Sequence, residues 1–421
     1  MIRKRNPRTV PRGLILSLVF VAGPALSGCL PLPIVDAGGI LRSAVLGPSG
    51  RLHAVIDDTD GIKYGVINAM WMNPELVTSE GTLGDDDGFP QGVGRGVLAL
   101  SPDGSPHVLY YSNSATSYPY LYGDLVHAWK QAGVWEYEVI GYVEHCEWLV
   151  SHPAIAVDGS GIVHVAYARM AADCVSEEIE IVYSGKQEGS WADEVIGTLE
   201  GQYLLSPDVT VRIAVGPDQK PVIAIGTAVC DGPPCEDQAI RVAQPTEDGG
   251  WEIEQIYSLG FYGGYLNNLR DLSLAVASSG EMAVGFEVSM MHMDGNDYDY
   301  GILTSHGDEW TLDYVCSERM CSRDYQPACS CQAGDIAFDP AGQLYAMFTR
   351  ETYLELPPPF YDDTLQSIIL ARRSGTEWVE ETLLGYYVNY GCRPELVVTG
   401  TSKAMMLYNW AYPPELVSLT R

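Results

Sequence analysis

Residues 154–167 read AIAV, DGSG and IVHVAY in succession, so two apolar segments flank a turn of Asp, Gly and Ser. The unit continues with the apolar segment IVYS at 181–184, the turn segment GSW at 189–191 and the segment EVI at 194–196. β-Branched and aromatic residues between turns of this composition are typical of short antiparallel strands. The unit is therefore predicted to form four strands.

This unit recurs along most of the chain. Its first turn returns at intervals of 54 to 62 residues, at Gly50, Gly104, Gly161, Lys220, Gly280, Gly342 and Lys403. A tryptophan returns late in the units, at Trp71, Trp135, Trp191, Trp251, Trp310 and Trp378, and is interpreted as blade-to-blade core. Four-stranded repeats of this length are typical of propeller blades. The predicted fold class is all-β: a single β-propeller of seven four-stranded blades, with six blades as the alternative count and a linear stack of sheets as the rival architecture.

Some units carry a weak family resemblance. The segment SPDGSPH at 101–107 resembles the propeller repeats of exported bacterial proteins that are grouped with sialidases and BNR-like repeats. The Asp-box of those repeats, Ser-x-Asp-x-Gly-x-Thr-Trp, occurs in none of the copies here. The resemblance therefore implies architecture, and no catalytic residue is carried over from it.

The last unit lacks a fourth strand before the sequence ends. Its apolar segments are 395–398, 404–410 and 416–419, whereas a spare apolar segment, LPIV, occurs at 32–35. Pairing this segment with the last unit would cover an exposed strand edge. The propeller is thus predicted to be closed by an N-terminal strand.

The N-terminus has the pattern of an export signal. A basic start without acidic residues is followed by an apolar stretch, residues 14–26, that is too short to span a bilayer. The segment LSGC at 26–29 resembles the lipobox of bacterial lipoproteins, a family in which the cysteine is acylated and becomes the new N-terminus. The expected division is a signal peptide (1–28), a lipidated tether with the closing strand (29–37) and the propeller (38–421). Leu30 follows the lipidated residue Cys29, and by family analogy this favours an outer-membrane lipoprotein, on the periplasmic side or at the cell surface.

The charge balance limits the possible partners. The chain has 55 acidic and 24 basic residues, a net charge of −31. Such a chain repels nucleic acid and anionic headgroups, so nucleic-acid binding is disfavoured and membrane attachment is assigned to the lipid at Cys29. A monomer is expected.

Ten cysteines are typical of an exported protein with disulfides. Cys230 and Cys235 flank a turn and are predicted to pair, and Cys146 with Cys174 is the second predicted pair. The pairing of the remaining cysteines is left open: Cys316, Cys321, Cys329, Cys331 and Cys392.

The connections of each unit fall into two groups. The turns between the first and second strands, and between the third and fourth, are short, whereas the other connections are long and differ in every copy. In a propeller these groups lie on opposite faces, which we term the short-turn face and the long-loop face. Long irregular loops on a rigid scaffold commonly bind ligands, so the long-loop face is the predicted binding face.

Charged residues recur where each innermost strand begins on that face. The candidate ligand-binding residues are Arg42, Arg95, His152, Asp208, Arg270, Asp335 and Arg393, with Asp271 beside Arg270. Converging guanidinium groups suit a carboxylate, which they can bind through paired hydrogen bonds. The resemblance to sialidases implies a similar use of arginines. An Arg–Asp network that only neutralises itself is the structural alternative.

The long connections also contain tyrosines and aspartates that suit ligand binding. Exposed tyrosines suit sugar or protein recognition, and the predicted set is Tyr118, Tyr120, Tyr122, Tyr262, Tyr265, Tyr298, Tyr300, Tyr386, Tyr387 and Tyr390. Asp294, Asp297 and Asp299 are close enough in sequence to share a Ca²⁺ ion, although the glutamate that completes an EF-hand loop is missing. No cofactor is otherwise indicated, and a solvated acidic loop is the alternative.

Three functions are consistent with these features. The first is a lipid-anchored propeller that binds a glycan or a protein without catalysis. The second is a sialidase-like glycoside hydrolase that uses the arginines, and the third is a periplasmic assembly scaffold. No nucleophile elbow, phosphate loop or metalloprotease motif occurs in the chain.

Overall fold

The chain divides into two units, Met1–Leu30 and Pro31–Arg421, and only residues of the second are described. The computed structural model describes residues 40–58, 60–68, 71–79, 96–113, 122–144, 150–170, 178–187, 189–200, 208–228, 238–259, 267–292, 295–307, 309–316, 329–354, 363–387, 395–398, 404–407, 409–410, 415–416 and 419–420. These residues form strands and turns, and none of them lies in a helix. The described part of the chain accordingly holds no helix that could cross a bilayer.

The first three blades follow the predicted strand order. Blade 1 contains β1 (Ile40–Leu46), β2 (Leu52–Asp58), β3 (Gly61–Asn68), β4 (Trp71–Met72) and β5 (Glu75–Thr78). Blade 2 contains β6 (Val97–Leu100), β7 (Pro106–Asn113), β8 (Tyr122–Gln131) and β9 (Val134–Glu144). The short strand β10 (Val150–His152) precedes blade 3, which contains β11 (Ala154–Val157), β12 (Val163–Met170), β13 (Glu178–Gln187) and β14 (Ser190–Glu200).

The next three blades repeat the same order. Blade 4 contains β15 (Asp208–Val215), β16 (Pro221–Ala228), β17 (Ala239–Pro245) and β18 (Trp251–Ser258). Blade 5 contains β19 (Asn267–Val276), β20 (Met282–His292), β21 (Gly295–His306) and β22 (Glu309–Cys316). Blade 6 contains β23 (Cys329–Phe338), β24 (Leu344–Leu354), β25 (Asp363–Ser374) and β26 (Glu377–Tyr387).

Within each blade, consecutive strands pair antiparallel, and the first strand is the innermost. The innermost strands β1, β6, β11, β15, β19 and β23 contact one another in this order around the molecule. The strand Glu395–Val398 contacts both β23 and β1 and makes this order cyclic, which confirms the all-β propeller and rules out the linear stack. The described residues form six four-stranded blades, the lower of the two predicted counts, and in blade 1 the outer strand consists of two short strands, β4 and β5, that both pair with β3.

The described strands of the seventh repeat form a two-stranded sheet and a larger three-stranded sheet. The strands are β27 (Glu395–Val398), β28 (Ala404–Leu407), β29 (Asn409–Trp410), β30 (Glu415–Leu416) and β31 (Leu419–Thr420). β29 pairs with β30, whereas β27, β28 and β31 make the three-stranded sheet, and β27 contacts both β23 and β1. The ring is therefore closed between blade 6 and blade 1 by the three-stranded sheet. The predicted closing segment at 32–35 lies outside the described residues.

The short turns explain why the repeat is visible in the sequence. In each of the six blades the first residue of the turn donates its N–H to the carbonyl of the fifth residue, and its own carbonyl accepts the N–H of the fourth. In blade 3 these hydrogen bonds are Asp158 N–H to Ile162 O at 2.9 Å and Gly161 N–H to Asp158 O at 3.0 Å. The fourth residue has a positive φ, which glycine adopts without steric cost, and five of the six copies place glycine there. In blade 4 this residue is Gln219, with a φ of 66°, one position before the predicted Lys220.

The hydrophobic core lies between the blades rather than in a central cluster. Trp135 packs in the core shared by blades 1 and 2, and Trp191 in the core shared by blades 2 and 3. A carboxylate on the outer strand of one blade also bonds to the next blade, in the pairs Glu75–Lys130, Glu138–Lys186, Glu194–Trp251, Glu254–Trp310 and Asp313–Arg373. Four of these acids stand three residues after the repeated tryptophan, so the contact between blades has a signal in the sequence.

One disulfide links two blades. Cys316, at the end of blade 5, is bonded to Cys331 on the innermost strand of blade 6, with 6.1 Å between their Cα atoms. Both were among the cysteines whose partners the sequence left open. The predicted pairs Cys230–Cys235 and Cys146–Cys174 lie outside the described residues.

Candidate functional site

Four of the predicted ligand residues lie on innermost strands that the structure describes: Arg42, Asp208, Arg270 and Asp335. Every innermost strand of a propeller runs in the same direction along the channel, because each blade repeats the same strand order around the ring. Their first residues therefore lie at one end of the channel, on the long-loop face. Residues at the starts of separate blades are thus gathered around this opening, although about 60 residues of sequence separate neighbouring blades.

Arg42 occupies a special position at this opening. It is the extra residue of a β-bulge in β1, between Leu41 and Ser43. A bulge changes the direction of the side chain that it carries, and bulges are frequent beside binding sites. The side chain is partly exposed, and its Nη2 atom is enclosed. The innermost strands β19 and β23 carry bulges of the same kind, between Arg270 and Ser273 and between Gln332 and Gly334.

His152 and Asp208 are brought close by strand pairing. His152 ends β10, which pairs in parallel with the beginning of β15, the innermost strand of blade 4. In that pairing Val150 lies opposite Asp208, and His152 lies opposite Thr210. The backbone of Arg270 lies in β19 opposite Glu287, a buried carboxylate. Arg95 and Arg393 lie outside the described residues.

Asp335 has a structural use. Its Oδ1 accepts the backbone N–H of Ile336 at 2.9 Å, and its Oδ2 accepts the backbone N–H of Leu396 at 2.9 Å. Since Leu396 belongs to β27, this carboxylate ties blade 6 to the sheet that closes the ring. A ligand contact by Asp335 stays a prediction.

The predicted tyrosine set is corrected at one position. Tyr300 lies within β21, is fully buried, and stacks on Phe348 of blade 6 with 5.7 Å between ring centroids. It is a core residue because the strand continues through the predicted loop as far as Gly295. Tyr122, Tyr298, Tyr386 and Tyr387 also lie in strands, and Tyr118, Tyr120, Tyr262, Tyr265 and Tyr390 are outside the described residues.

The predicted Ca²⁺ site is described only in part. Asp299 is buried in β21, the backbone of Asp297 lies in the same strand, and Asp294 is outside the described residues. Among the side chains that the structure describes, no three metal-binding groups stand together. The Ca²⁺ site therefore stays a prediction.

A cavity of about 350 Å³ lies between blades 1 and 2. Its lining is mixed, with hydroxyl, carboxylate, phenol and aliphatic groups from Thr78, Tyr110, Ser112, Asp124, Val126, Tyr137, Glu138 and Val139. Cavities of this size can hold a small ligand group. The cavity is not visible in the sequence, because its walls come from four strands in two repeats.

Two histidines of blade 2, His107 and His127, are buried and pack against each other. His107 and His127 stack in parallel with 5.2 Å between ring centroids, and Nδ1 of His107 lies 2.9 Å from Nε2 of His127. Burial lowers the pKa of His107 to about 4 and that of His127 to about 3, and the charge of nearby Lys186 lowers both further. Both rings are therefore neutral at physiological pH.

Comparisons with known proteins show the fold. No protein-family model matches the chain, and no curated protein matches it in sequence. The chain is similar to the solved structure of an ulvan lyase of the polysaccharide lyase family PL25, with a TM-score of 0.58 and 14% identity over 93% of this chain and 94% of the other. The ulvan lyase bound to -[GlcA(1-4)Rha3S]- gives the same values. An α-L-arabinofuranosidase of family GH93 from Fusarium graminearum, with arabinobiose, matches at a TM-score of 0.47, 10% identity, and 81% and 96% coverage.

Proposed function

We propose that this protein is a lipid-anchored propeller of the bacterial cell envelope that binds an acidic glycan at the long-loop end of its channel. The observation that carries the proposal is the ring of innermost strands, which begin around one opening and of which two carry Arg42 and Arg270. Arginine binds carboxylate and sulfate groups through paired, charge-assisted hydrogen bonds. The chain has the fold of a lyase whose solved complex contains a uronate and a sulfated sugar, and this supports an acidic ligand.

A strongly acidic protein needs a local cationic site for such a ligand. With a net charge of −31, the surface as a whole repels anionic polysaccharides at long range. Binding therefore depends on short-range contacts at the opening, where Arg42 sits on its bulge. These contacts are sufficient for binding without catalysis, which is the function proposed. Cleavage of the glycan is the alternative, and the same experiment tests it.

The test uses the full-length protein in detergent with a panel of acidic and neutral oligosaccharides. Binding of uronate-containing or sulfated glycans without cleavage supports the proposal. Ultraviolet absorbance of an unsaturated uronate would identify a lyase, and release of reducing ends alone would identify a hydrolase. Failure to bind any acidic glycan overturns the proposal and leaves the scaffold function.

Replacing Arg42 is expected to weaken binding. Arg42→Gln removes a guanidinium at the opening, and one lost charge-assisted hydrogen bond reduces affinity by about tenfold or more. Arg51→Gln is the matched control, because Arg51 is exposed at the opposite, short-turn end of the β1–β2 hairpin. Calorimetric titration of both variants with the same glycan measures the difference. Equal affinities would show that Arg42 makes no ligand contact.

Replacing Cys29 is expected to release the protein from the membrane. Cys29→Ala removes the only sulfur that the lipobox-like segment offers for acylation, and membrane attachment by lipid requires buried acyl chains. Detergent phase partition and the mass of the mature protein measure the effect. Ser27→Ala, which keeps a small residue before the cysteine, is the control and should leave attachment unchanged. A Cys29→Ala protein that still partitions into detergent contradicts lipidation.

A further inference from the structure

Two blades contain an arginine that fills the space beside the preceding blade. In blade 3, Nε of Arg169 donates to Oε2 of Glu180 at 2.7 Å, and its Nη1 lies 3.9 Å from Oδ2 of Asp193. Glu180 is directly opposite Arg169 in the β12–β13 ladder. Tyr167, two residues before the arginine, donates its hydroxyl to Asp193 at 3.1 Å. The guanidinium thus lies among two carboxylates and a phenol.

Blade 6 has an arginine at the same position, although the residue opposite it in the β24–β25 ladder is Ser367. Nη2 of Arg350 lies 2.9 Å from both carboxylate oxygens of Glu380, and its guanidinium lies 5.6 Å from the ring centroid of Phe348. Phe348 stands two residues before the arginine, as Tyr167 does in blade 3. Asp193 and Glu380 each stand two residues after the repeated tryptophan. The two arginines therefore occupy equivalent positions in the repeat.

Blade 2 lacks the arginine at this position. Tyr110 corresponds to Tyr167, and the residue two positions later is Ser112, which lies opposite Asp124 in the β7–β8 ladder. Asp124 thus corresponds to Glu180 of blade 3, and Tyr137, two residues after Trp135, corresponds to Asp193. These four residues line the cavity of about 350 Å³. The cavity is the space that an arginine side chain fills in blades 3 and 6.

Two polar side chains of this cavity, Asp124 and Ser112, make no hydrogen bond within the described part of the chain. The carboxylate of Asp124 makes no hydrogen bond or ion pair with a described residue, although it is partly buried. The hydroxyl of Ser112, on a side chain that is only 8% exposed, makes none with a described residue either. Unpaired groups of this kind are unfavourable in a partly enclosed space, and a bound cation would stabilise them.

We propose that the cavity between blades 1 and 2 binds a guanidinium group, supplied by a free guanidinium compound or by an arginine side chain of a protein partner. Asp124 accepts hydrogen bonds from the planar cation, as Glu180 does from Arg169. Tyr137 is 50% exposed at the cavity and offers its ring face to the same cation. The net charge of −31 raises the local concentration of cations at the surface. This site is independent of glycan binding at the channel opening.

The experiment titrates the full-length protein in detergent with methylguanidinium, with butylammonium and with a blocked arginine dipeptide, using calorimetry and protein chemical shifts. Methylguanidinium is expected to bind more tightly than butylammonium, because an ammonium ion is a point charge without the planar fork of donors. Tighter binding of the dipeptide identifies a side chain as the ligand, and equal binding identifies a small free compound. Equal binding of the two simple cations, or binding of neither, overturns the proposal.

Two variants and one control locate the site. Asp124→Asn is expected to lower the affinity for methylguanidinium by about tenfold or more. Ser112→Arg restores the residue type of blades 3 and 6, and it is expected to abolish binding and raise the unfolding temperature. Glu136→Gln makes the same charge change as Asp124→Asn at an exposed residue of β9 that does not line the cavity, and it should leave the affinity unchanged. Unchanged affinity in Asp124→Asn places the cation elsewhere and overturns the proposal, even if Ser112→Arg fails to fold.

Discussion

Acidification from about pH 7 to about pH 4 is expected to remove about 3–6 kcal/mol of the free energy of unfolding through the His107–His127 pair alone. In the folded protein, burial lowers the pKa of His107 to about 4 and of His127 to about 3. In the unfolded chain both titrate near 6.5. Below that pH the unfolded state binds protons that the folded state does not, so stability falls until the pH reaches the folded pKa values.

The surroundings of the pair explain why both rings stay neutral. The exposed fractions are 9% for His107 and 1% for His127. His127 stacks on Trp129 at 5.1 Å and meets Trp191 of blade 3 edge-on at 5.4 Å. Lys186, which pairs with Glu138, lies over the Trp129 ring at 4.4 Å. A second positive charge in this site would be both desolvated and repelled.

The contribution of the pair is measured with the double variant His107→Phe/His127→Phe. Phenylalanine keeps the stacked shape and carries no charge, and replacing both partners of a hydrogen bond by apolar groups of similar shape is tolerated. Urea unfolding of both proteins at the two pH values gives the difference, which isolates the pair from the acidic residues. His306→Gln, at an exposed histidine of blade 5, is the control. If the free energy of unfolding falls by the same amount between the two pH values in the wild type and the double variant, the pair does not titrate as described.

Tyr300→Ala is expected to destabilise the protein by about 3–5 kcal/mol, as large-to-small changes at buried aromatic residues do. The ring is fully buried between blades 5 and 6 and packs on Phe348. It fills a slot beside Gly285 and Gly334, where a Cβ atom on either glycine would overlap the tyrosine. Because this slot is shaped by backbone, it cannot collapse around an alanine.

Two comparisons make this prediction specific. Tyr300→Phe removes only the hydroxyl, which lies 3.4 Å from the Ser273 hydroxyl, and is expected to cost less than about 1.5 kcal/mol. Tyr314→Ala changes a 37% exposed tyrosine on the outer strand of the same blade. Thermal unfolding of the three variants ranks the effects. A cost for Tyr300→Ala no larger than for Tyr314→Ala would mean that Tyr300 does not belong to the core.

At the candidate site, the sequence predicts the strand position of a residue but not its contacts with other repeats. The positions of Arg42 and Asp335 on innermost strands follow from the repeat, and the structure places both there. The two hydrogen bonds of Asp335 do not follow from it, because one partner, Leu396, belongs to another repeat. Gly295 and Asn296 precede Tyr300 and favour a loop, whereas pairing with β20 extends the strand through both residues. Tertiary pairing here overrides the local turn preference.

The sequence by itself determined the blade, since each blade is specified by signals close in the chain: alternating apolar segments, and a turn whose fourth residue needs a positive φ. Only the tertiary structure decided what lies between blades, because those contacts join residues about 60 positions apart and depend on strand register. Arg169 of blade 3 and Ser112 of blade 2 occupy the same position in the repeat. Only the packing of the sheets shows that the arginine fills the space between blades, whereas the serine leaves a cavity there. The pairing of Cys316 with Cys331 was likewise decided by the neighbourhood of two blades.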